Sequence, residues 1–203
     1  MLQFIANNIY IVLVLIIVFT FLWIMGGEDI VFFRKKKYPI DPNANETLQR
    51  AVDRFAAPRE YRVLGPTTIE FEGETHYFDA ILLSLYGTVA FKAAPWGGEI
   101  YGDPGEETWL QVFEGARRRF DDPTKDLAGV AKFFRDIYRA EKVKYGKTDA
   151  MVVFTNKKTV VAVPRTAPVC TADDLGTRLE KNYLADNSAD IAGMRRAIDK
   201  YTK

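Results

Sequence analysis

A long apolar run near the start of the chain constrains its architecture more than any other feature. Between Ile9 and Met25 the sequence reads IYIVLVLIIVFTFLWIM and contains no charged residue. With positions 4–6 added, about 20 residues are available to cross a hydrocarbon core about 30 Å thick. Tyr10 and Trp23 lie near the two ends, where interfacial aromatic residues are common. The sequence therefore predicts one transmembrane helix, in contact with the membrane through residues 4–25.

A cleaved signal peptide is the main alternative for this run. Such a peptide starts with basic residues and ends at a small-residue cleavage site. Both features are missing here, so an anchor that stays in the mature chain is the better interpretation.

Positive charges follow the predicted helix, and no Lys or Arg precedes it. By the positive-inside rule, the N-terminus is expected outside and the rest of the chain in the cytoplasm, as a single-pass membrane protein. The same charges would also attract anionic lipid headgroups, although a topology signal alone explains them. This basic cluster consists of Arg34, Lys35, Lys36 and Lys37.

The sequence divides into an anchor (1–27), a juxtamembrane basic segment and linker (28–45), and a domain with C-terminal helices (46–203). The last part has the length of one domain. Cys170 is the only cysteine and His76 the only histidine, which excludes an internal disulfide and disfavours zinc sites and a Ser–His–Asp triad. Cys170 is expected to be a buried apolar residue.

The charge balance of the domain is nearly neutral. The chain has 28 basic and 27 acidic residues, and the first 40 positions hold four and two of them, which leaves 24 and 25. Nucleic-acid binders usually carry a basic excess, because phosphate contacts supply much of their affinity. A nucleic-acid partner is therefore conceivable but is not supported by net charge.

Apolar periodicity predicts the order helix, several strands, helix, two strands, helix, helix, which is a mixed α/β domain around a central sheet. Within it we expect a strand over 77–85 paired with one over 88–93, and a loop over 95–105. A long helix is expected over 123–142. The apolar runs 150–154 and 159–163 are expected to form two buried strands on either side of a turn. The basic run Arg117-Arg118-Arg119 is expected in a solvated loop or helix end, with phosphate contact as the alternative.

The region 78–109 resembles the NERD domain, the nuclease-related branch of the restriction-endonuclease-like fold. In that family an isoleucine-aspartate pair precedes an apolar strand, a glycine turn and a second apolar strand that ends in Glu-x-Lys. An aromatic-x-Gly-x-Ile-x-Gly loop and a tryptophan follow. The matching residues here are Phe78, Asp79, Gly87, Trp96, Gly98, Ile100, Gly102 and Trp109.

The resemblance implies a restriction-endonuclease-like central mixed sheet flanked by helices, preceded here by the transmembrane helix. It also implies a site in which carboxylates hold Mg²⁺ and a lysine polarises water or steadies the phosphoryl charge. Asp79 matches the family's aspartate, and Glu46 lies where the family has an acidic residue in its first helix.

The expected Glu-x-Lys pair is absent from its strand. Counting back from Gly102 puts Lys92 at the glutamate position and Ala94 at the lysine position, while the family's glutamine falls on Asp126. A lysine at a ligand position repels the cation that the ligand should bind. The expected fate of the site is an Asp79–Lys92 ion pair across the hairpin.

Two functions follow as expectations. The first is a degenerate domain without nuclease activity and without a cofactor, which acts as an interaction or nucleic-acid-contact module. The second is a Mg²⁺-dependent nuclease rearranged around Asp79 and Lys92, with Asp79 as a metal ligand joined by Glu46, Asp126 or Asp103.

Overall fold

The computed structural model describes residues Tyr38–Lys203, so the predicted anchor and the basic cluster lie outside the described part of the chain. Among residues 38–203, no helix is long and apolar enough to span a membrane. The described part contains eleven strands in three sheets. In chain order they are β1 (Arg62–Leu64), β2 (Thr67–Phe71), β3 (Glu74–Phe78), β4 (Ala80–Leu83), β5 (Gly87–Ala94), β6 (Gly98–Tyr101), β7 (Thr108–Phe113), β8 (Ala116–Asp121), β9 (Lys147–Phe154), β10 (Thr159–Ala162) and β11 (Val169–Thr171).

The central sheet has the strand order β1-β4-β5-β9-β11. The β1–β4 and β4–β5 pairs are antiparallel, whereas the β5–β9 and β9–β11 pairs are parallel. All four residues of β4 are buried, as expected for a strand covered on both faces. The turn into β5 requires Gly87, because at its φ of 135° a Cβ would lie 1.9 Å from the Lys147 carbonyl oxygen.

Four helices cover the two faces of this sheet. On one face, α1 (Ala44–Ala56) and α3 (Leu175–Asn182) share an apolar cluster with side chains of β4, β5 and β9. On the other face, α2 (Val130–Ala140) and α4 (Ile191–Tyr201) pack with residues of β4 and β5. The predicted α/β architecture, a mixed sheet flanked by helices, is confirmed.

A four-stranded sheet with the order β10-β6-β7-β8 lies beside the ends of β5 and β9. Its strand β6 falls inside the region predicted as a loop, and β8 contains the three consecutive arginines predicted to lie in a loop or helix end. Both predictions were wrong. The glycines around β6 and the charges of β8 are untypical of strands. Both segments become strands because they pair with β7, and local propensity does not reveal this.

The predicted strand over 77–85 is divided between two sheets. Its first part belongs to β3, which pairs with β2 in a separate hairpin, and its second part is β4 of the central sheet. Asp79 occupies the bend between them. The strands from 150–154 and 159–163 also enter different sheets, as β9 and β10.

The predicted helix over 123–142 is shorter at its start. A 3₁₀ turn covers Lys125–Leu127, and α2 begins only at Val130. Between them, Ala128 is extended and Gly129 has a φ of 81°, conformations that interrupt a helix. Apolar spacing continues through the break, which is why the sequence pattern does not reveal it.

The predicted linker attaches closely to the domain. Ile40 forms an antiparallel bridge with Trp96, the Asp41 N–H donates to the Pro95 carbonyl at 2.8 Å, and the Gly97 N–H donates to the Pro39 carbonyl at 2.9 Å. Residues 39–41 therefore form an entry strap along the loop that follows β5.

Candidate functional site

Asp79 lies at the bend between β3 and β4, with only 6% of the residue exposed. Its carboxylate Oδ2 accepts a 2.8 Å hydrogen bond from the backbone N–H of Ala93, and its own N–H donates to the Phe91 carbonyl. Both bonds hold the bend against β5. The carboxylate is therefore engaged by the backbone of the neighbouring strand.

Lys92 lies on β5, one residue beyond the last paired position of the β4–β5 ladder. Its ammonium nitrogen is 3.7 Å from Asp126 Oδ2 and 5.6 Å from the centroid of the Tyr77 ring. The side chain is 23% exposed. Its ion-pair partner is thus Asp126, in the 3₁₀ turn before α2, instead of the expected Asp79.

Glu46 lies in the first turn of α1 with its side chain 75% exposed. Its carboxylate is 3.6 Å from Arg50 of the same helix. The neighbouring residue Asn45 donates from its amide to the Tyr77 hydroxyl at 3.4 Å, so the start of α1 approaches the candidate site through Asn45 and not through Glu46.

Tyr77 is a member of the site that the sequence analysis missed. Burial, and then the negative charge of Asp79, raise the pKa of the Tyr77 phenol. The spacing contained a signal, since side chains at i and i+2 of a strand share one face and Tyr77 stands two residues before Asp79. The phenol stays protonated at neutral pH.

A cleft of about 500 Å³ opens beside Lys92. Two of its charged side chains have structural partners: Asp122 accepts bonds from Thr124 and from the Gly105 N–H, and Lys125 donates to the Glu107 carbonyl. Its lining combines cations, acids and one large aromatic ring: Lys92, Ala93, Ala94, Trp96, Asp121, Asp122, Pro123, Lys125, Asp126 and Val152.

These residues do not fit the Mg²⁺ that the fold family implies. Hard cations need several oxygen ligands, normally with two or more carboxylates. Among residues 38–203, no three His, Cys, Asp or Glu side chains come together in a group that could hold a metal. Of the proposed ligands, Asp79 is bonded to Ala93 and Glu46 to Arg50, while Lys92 brings a positive charge to the expected ligand position.

Two other sequence candidates have structural roles. Cys170 is 7% exposed, and burial raises the pKa of its thiol to about 12, so it is not a nucleophile at neutral pH. Gly102 of the loop lies against the ring of Trp109, which donates from its indole nitrogen to the Asp103 carbonyl at 3.1 Å. The loop therefore builds a tryptophan packing site.

Comparison with known proteins agrees with the resemblance noted in the sequence. The family model described as the nuclease-related domain, NERD, matches residues 43–155, more than half of the chain. A restriction-endonuclease-like fold is consistent with this match. Searches of curated proteins and of solved structures found no match.

Proposed function

Because the chain belongs to the nuclease-related domain (NERD) family, we propose that it keeps the family's fold without its phosphodiester cleavage. In this proposal the domain is a binding module, held at the cytoplasmic face of a membrane by the N-terminal helix. It needs no metal cofactor.

One observation carries the loss of cleavage: the pairing of Lys92 with Asp126 at the site where the family places a metal-binding glutamate. Metal-assisted hydrolysis needs a cation that activates water and neutralises the developing phosphoryl charge. Here the local cation is the lysine ammonium itself, and the Asp79 carboxylate is bonded to the Ala93 N–H. This arrangement supports contact with a ligand and does not support activation of water.

The membrane attachment rests on the apolar run at 4–25 and on the basic cluster that follows it. Attachment would limit the domain to partners that reach the inner membrane surface. The basic cluster would add contacts to anionic headgroups there.

The cleft beside Lys92 is the proposed binding surface. It presents a cation and the indole ring of Trp96 together with acids, of which Asp122 accepts backbone hydrogen bonds. Lysine and an aromatic ring are the groups that contact phosphates and bases of a single strand, but the acids keep the local field weak. A nucleic-acid strand or a polar protein segment would therefore bind without strong electrostatic attraction.

The decisive experiment uses the full chain in detergent. Labelled DNA and RNA oligonucleotides are incubated with it across a Mg²⁺ and Mn²⁺ titration, beside the Asp79→Ala variant. We expect no cleavage above that of the variant at any metal concentration. Cleavage that requires both the metal and Asp79 would overturn the proposal in favour of the rearranged nuclease. Binding of the same oligonucleotides, measured by fluorescence anisotropy with Lys92→Ala as the comparison, tests whether the cleft contacts nucleic acid.

A further inference from the structure

In the described part of the chain, the outer face of the four-stranded sheet carries exposed side chains. Strand alternation turns Ile100 and Trp109 into the core on the inner face, while Val160 and Tyr101 on the outer face are 61% and 40% exposed. In register with them, on the same outer face, lie Leu110 and Val112 of β7 and Arg117 and Arg119 of β8.

This outer face has two rows that cross the sheet. The first row runs Val160, Glu99, Val112, Arg117, and the second runs Ala162, Tyr101, Leu110, Arg119. Each row ends in an exposed arginine on the edge strand β8. Protein surfaces that lie in a membrane interface typically combine apolar and aromatic side chains with basic ones.

The described acids on or beside this face are Glu99, Asp121 and, in a pocket shared with Arg119, Asp103 and Glu106. Glu99 accepts a hydrogen bond from the Tyr101 hydroxyl, and Asp121 is paired in register with Thr108 at the far end of β8. Arg119 donates to the Thr108 hydroxyl at 3.4 Å. Arg117 and Arg119 are both exposed.

The strand β8 also lies where the chain enters the domain. Tyr38, which follows Lys37 in the sequence, places its ring 5.4 Å from the guanidinium carbon of Arg118. Arg118 points to the inner face of the sheet, opposite to Arg117 and Arg119. The residue next to the basic cluster is thus packed on the strand that carries the two exposed arginines.

We propose that the outer face of the four-stranded sheet docks on an anionic lipid surface, with Arg117 and Arg119 bound to headgroup phosphates. Tyr101, Leu110 and Val112 then lie at the boundary of the apolar region. The inference rests on the membrane attachment proposed above, which makes docking an intramolecular step and raises its effective concentration. Two arginines near an anionic surface change the ratio of docked to undocked domain by about 30-fold.

A long nucleic acid fits this face less well. The cations are limited to one edge, while Glu99 lies within the first row and Asp121 beyond the second. Within the two rows, Tyr101 is the one aromatic side chain that could stack on a base, and the other apolar side chains are aliphatic. A lipid surface can contact both the arginines at the edge of the face, through its phosphates, and the apolar side chains within the face, through its hydrocarbon boundary.

The test is labelling of an introduced cysteine in the full chain. Val160→Cys reports on the outer face, and Leu184→Cys, 45% exposed and outside the four-stranded sheet, is the matched control. Cys170 is buried and does not compete for the reagent. Each variant is reconstituted into vesicles of phosphatidylcholine alone or with added phosphatidylglycerol, and the rate of reaction with a water-soluble maleimide is measured for the outward-facing domains.

We expect anionic vesicles to slow the labelling of V160C by about 10-fold or more, since about 30-fold is the limit for full engagement of both arginines. L184C should react at the same rate in both vesicles. R117E/R119E should remove the slowing, and so should R117Q/R119Q, which keeps polar side chains of similar length on this exposed strand.

Four outcomes would overturn the proposal. Equal rates for V160C in both vesicles, with the chain still resistant to carbonate extraction, would exclude docking while the membrane attachment stands. Slowing that persists in R117E/R119E would exclude the headgroup contacts. Protection of V160C by a single-stranded oligonucleotide in neutral vesicles would assign the face to nucleic acid. Extraction of the chain by carbonate would remove the attachment itself.

Discussion

The ammonium nitrogen of Lys92 lies 3.7 Å from Asp126 Oδ2 and joins the central sheet to the turn before α2. The two side chains differ in burial, since Lys92 is 23% exposed and Asp126 is 74% exposed. Solvent therefore screens most of their attraction. The pair directs the Lys92 side chain towards the turn before α2, and it contributes little to stability.

This low contribution can be measured by a double-mutant cycle. Lys92→Met and Asp126→Asn, alone and combined, should show a coupling free energy below about 1 kcal/mol in thermal or urea unfolding of the detergent-solubilised chain. The exposed pair Arg195–Asp199 of α4 is a control of similar kind. A coupling several times larger would show that the pair is a structural element of the domain.

Asp79 should matter far more to stability than Glu46. Asp79→Ala leaves the partly buried Ala93 N–H without its partner, so we expect a loss of about 1–2 kcal/mol in the free energy of unfolding. Glu46→Ala removes only an exposed contact within α1 and should change it by less than about 0.5 kcal/mol. If the two variants were equally stable, the hydrogen bond to Ala93 would not anchor the bend.

Gly102 should tolerate no side chain. A Cβ there would lie 2.3 Å from the Trp109 ring, so Gly102→Ala should lower the free energy of unfolding by about 1–3 kcal/mol through overpacking. Gly176→Ala is the matched control, because Gly176 lies inside α3 with no neighbouring atom within 4 Å of a Cβ. That change should stabilise the chain by about 0.5–1 kcal/mol. Differential scanning fluorimetry separates the two, and a stabilising Gly102→Ala would contradict the packing.

Cys170 should make the free energy of unfolding depend on pH in the alkaline range. Its thiol has an ordinary pKa of 9.0, which burial raises to about 12 in the folded chain. Below pH 9 the thiol is protonated in both states and its contribution is fully present. As the pH rises from about 9 to about 12, the unfolded state loses the proton first, so stability declines.

The comparison that isolates this effect is Cys170→Ala. The difference in unfolding free energy between the native chain and the variant should shrink over the same pH window, because the variant has no thiol to titrate. A thiol-reactive disulfide reagent at pH 8 should also react slowly with the folded chain. Fast reaction under native conditions would show that the thiol is accessible.

Much of the fold could be predicted from apolar spacing. Leu48, Val52 and Phe55 follow a helical period and are buried on α1, and the apolar runs that became β4, β5 and β9 are buried in the central sheet. Local periodicity is enough to predict a helix or strand where that element packs against a single core.

The second sheet could not be predicted in this way. Arg117, Arg118 and Arg119 read as a solvated segment, but the register of β8 against β7 places Arg118 on the inner face and the other two on the outer face. Long-range pairing determines such a strand, and no local pattern records it.

The candidate site, too, could be predicted only in part from the sequence. The resemblance placed Lys92 at the position of a family acid and predicted Asp79 as its partner, whereas the structure pairs Lys92 with Asp126. The sequence shows which charged side chains could pair with each other. It does not show that the Asp79 carboxylate accepts a hydrogen bond from a backbone N–H, because every residue except proline has one. Side-chain-to-backbone bonds are therefore the part of a site that sequence reasoning misses first.

The entry strap formed by residues 39–41 has a mechanical consequence. A pull on the chain ahead of Tyr38 meets the two backbone hydrogen bonds to Pro95 and Gly97 before it reaches α1. The two bonds would pass part of this load into the loop that follows β5, the strand that carries Lys92. Under the proposed membrane attachment, force on the anchor would therefore reach the loop beside the cleft before it reaches α1.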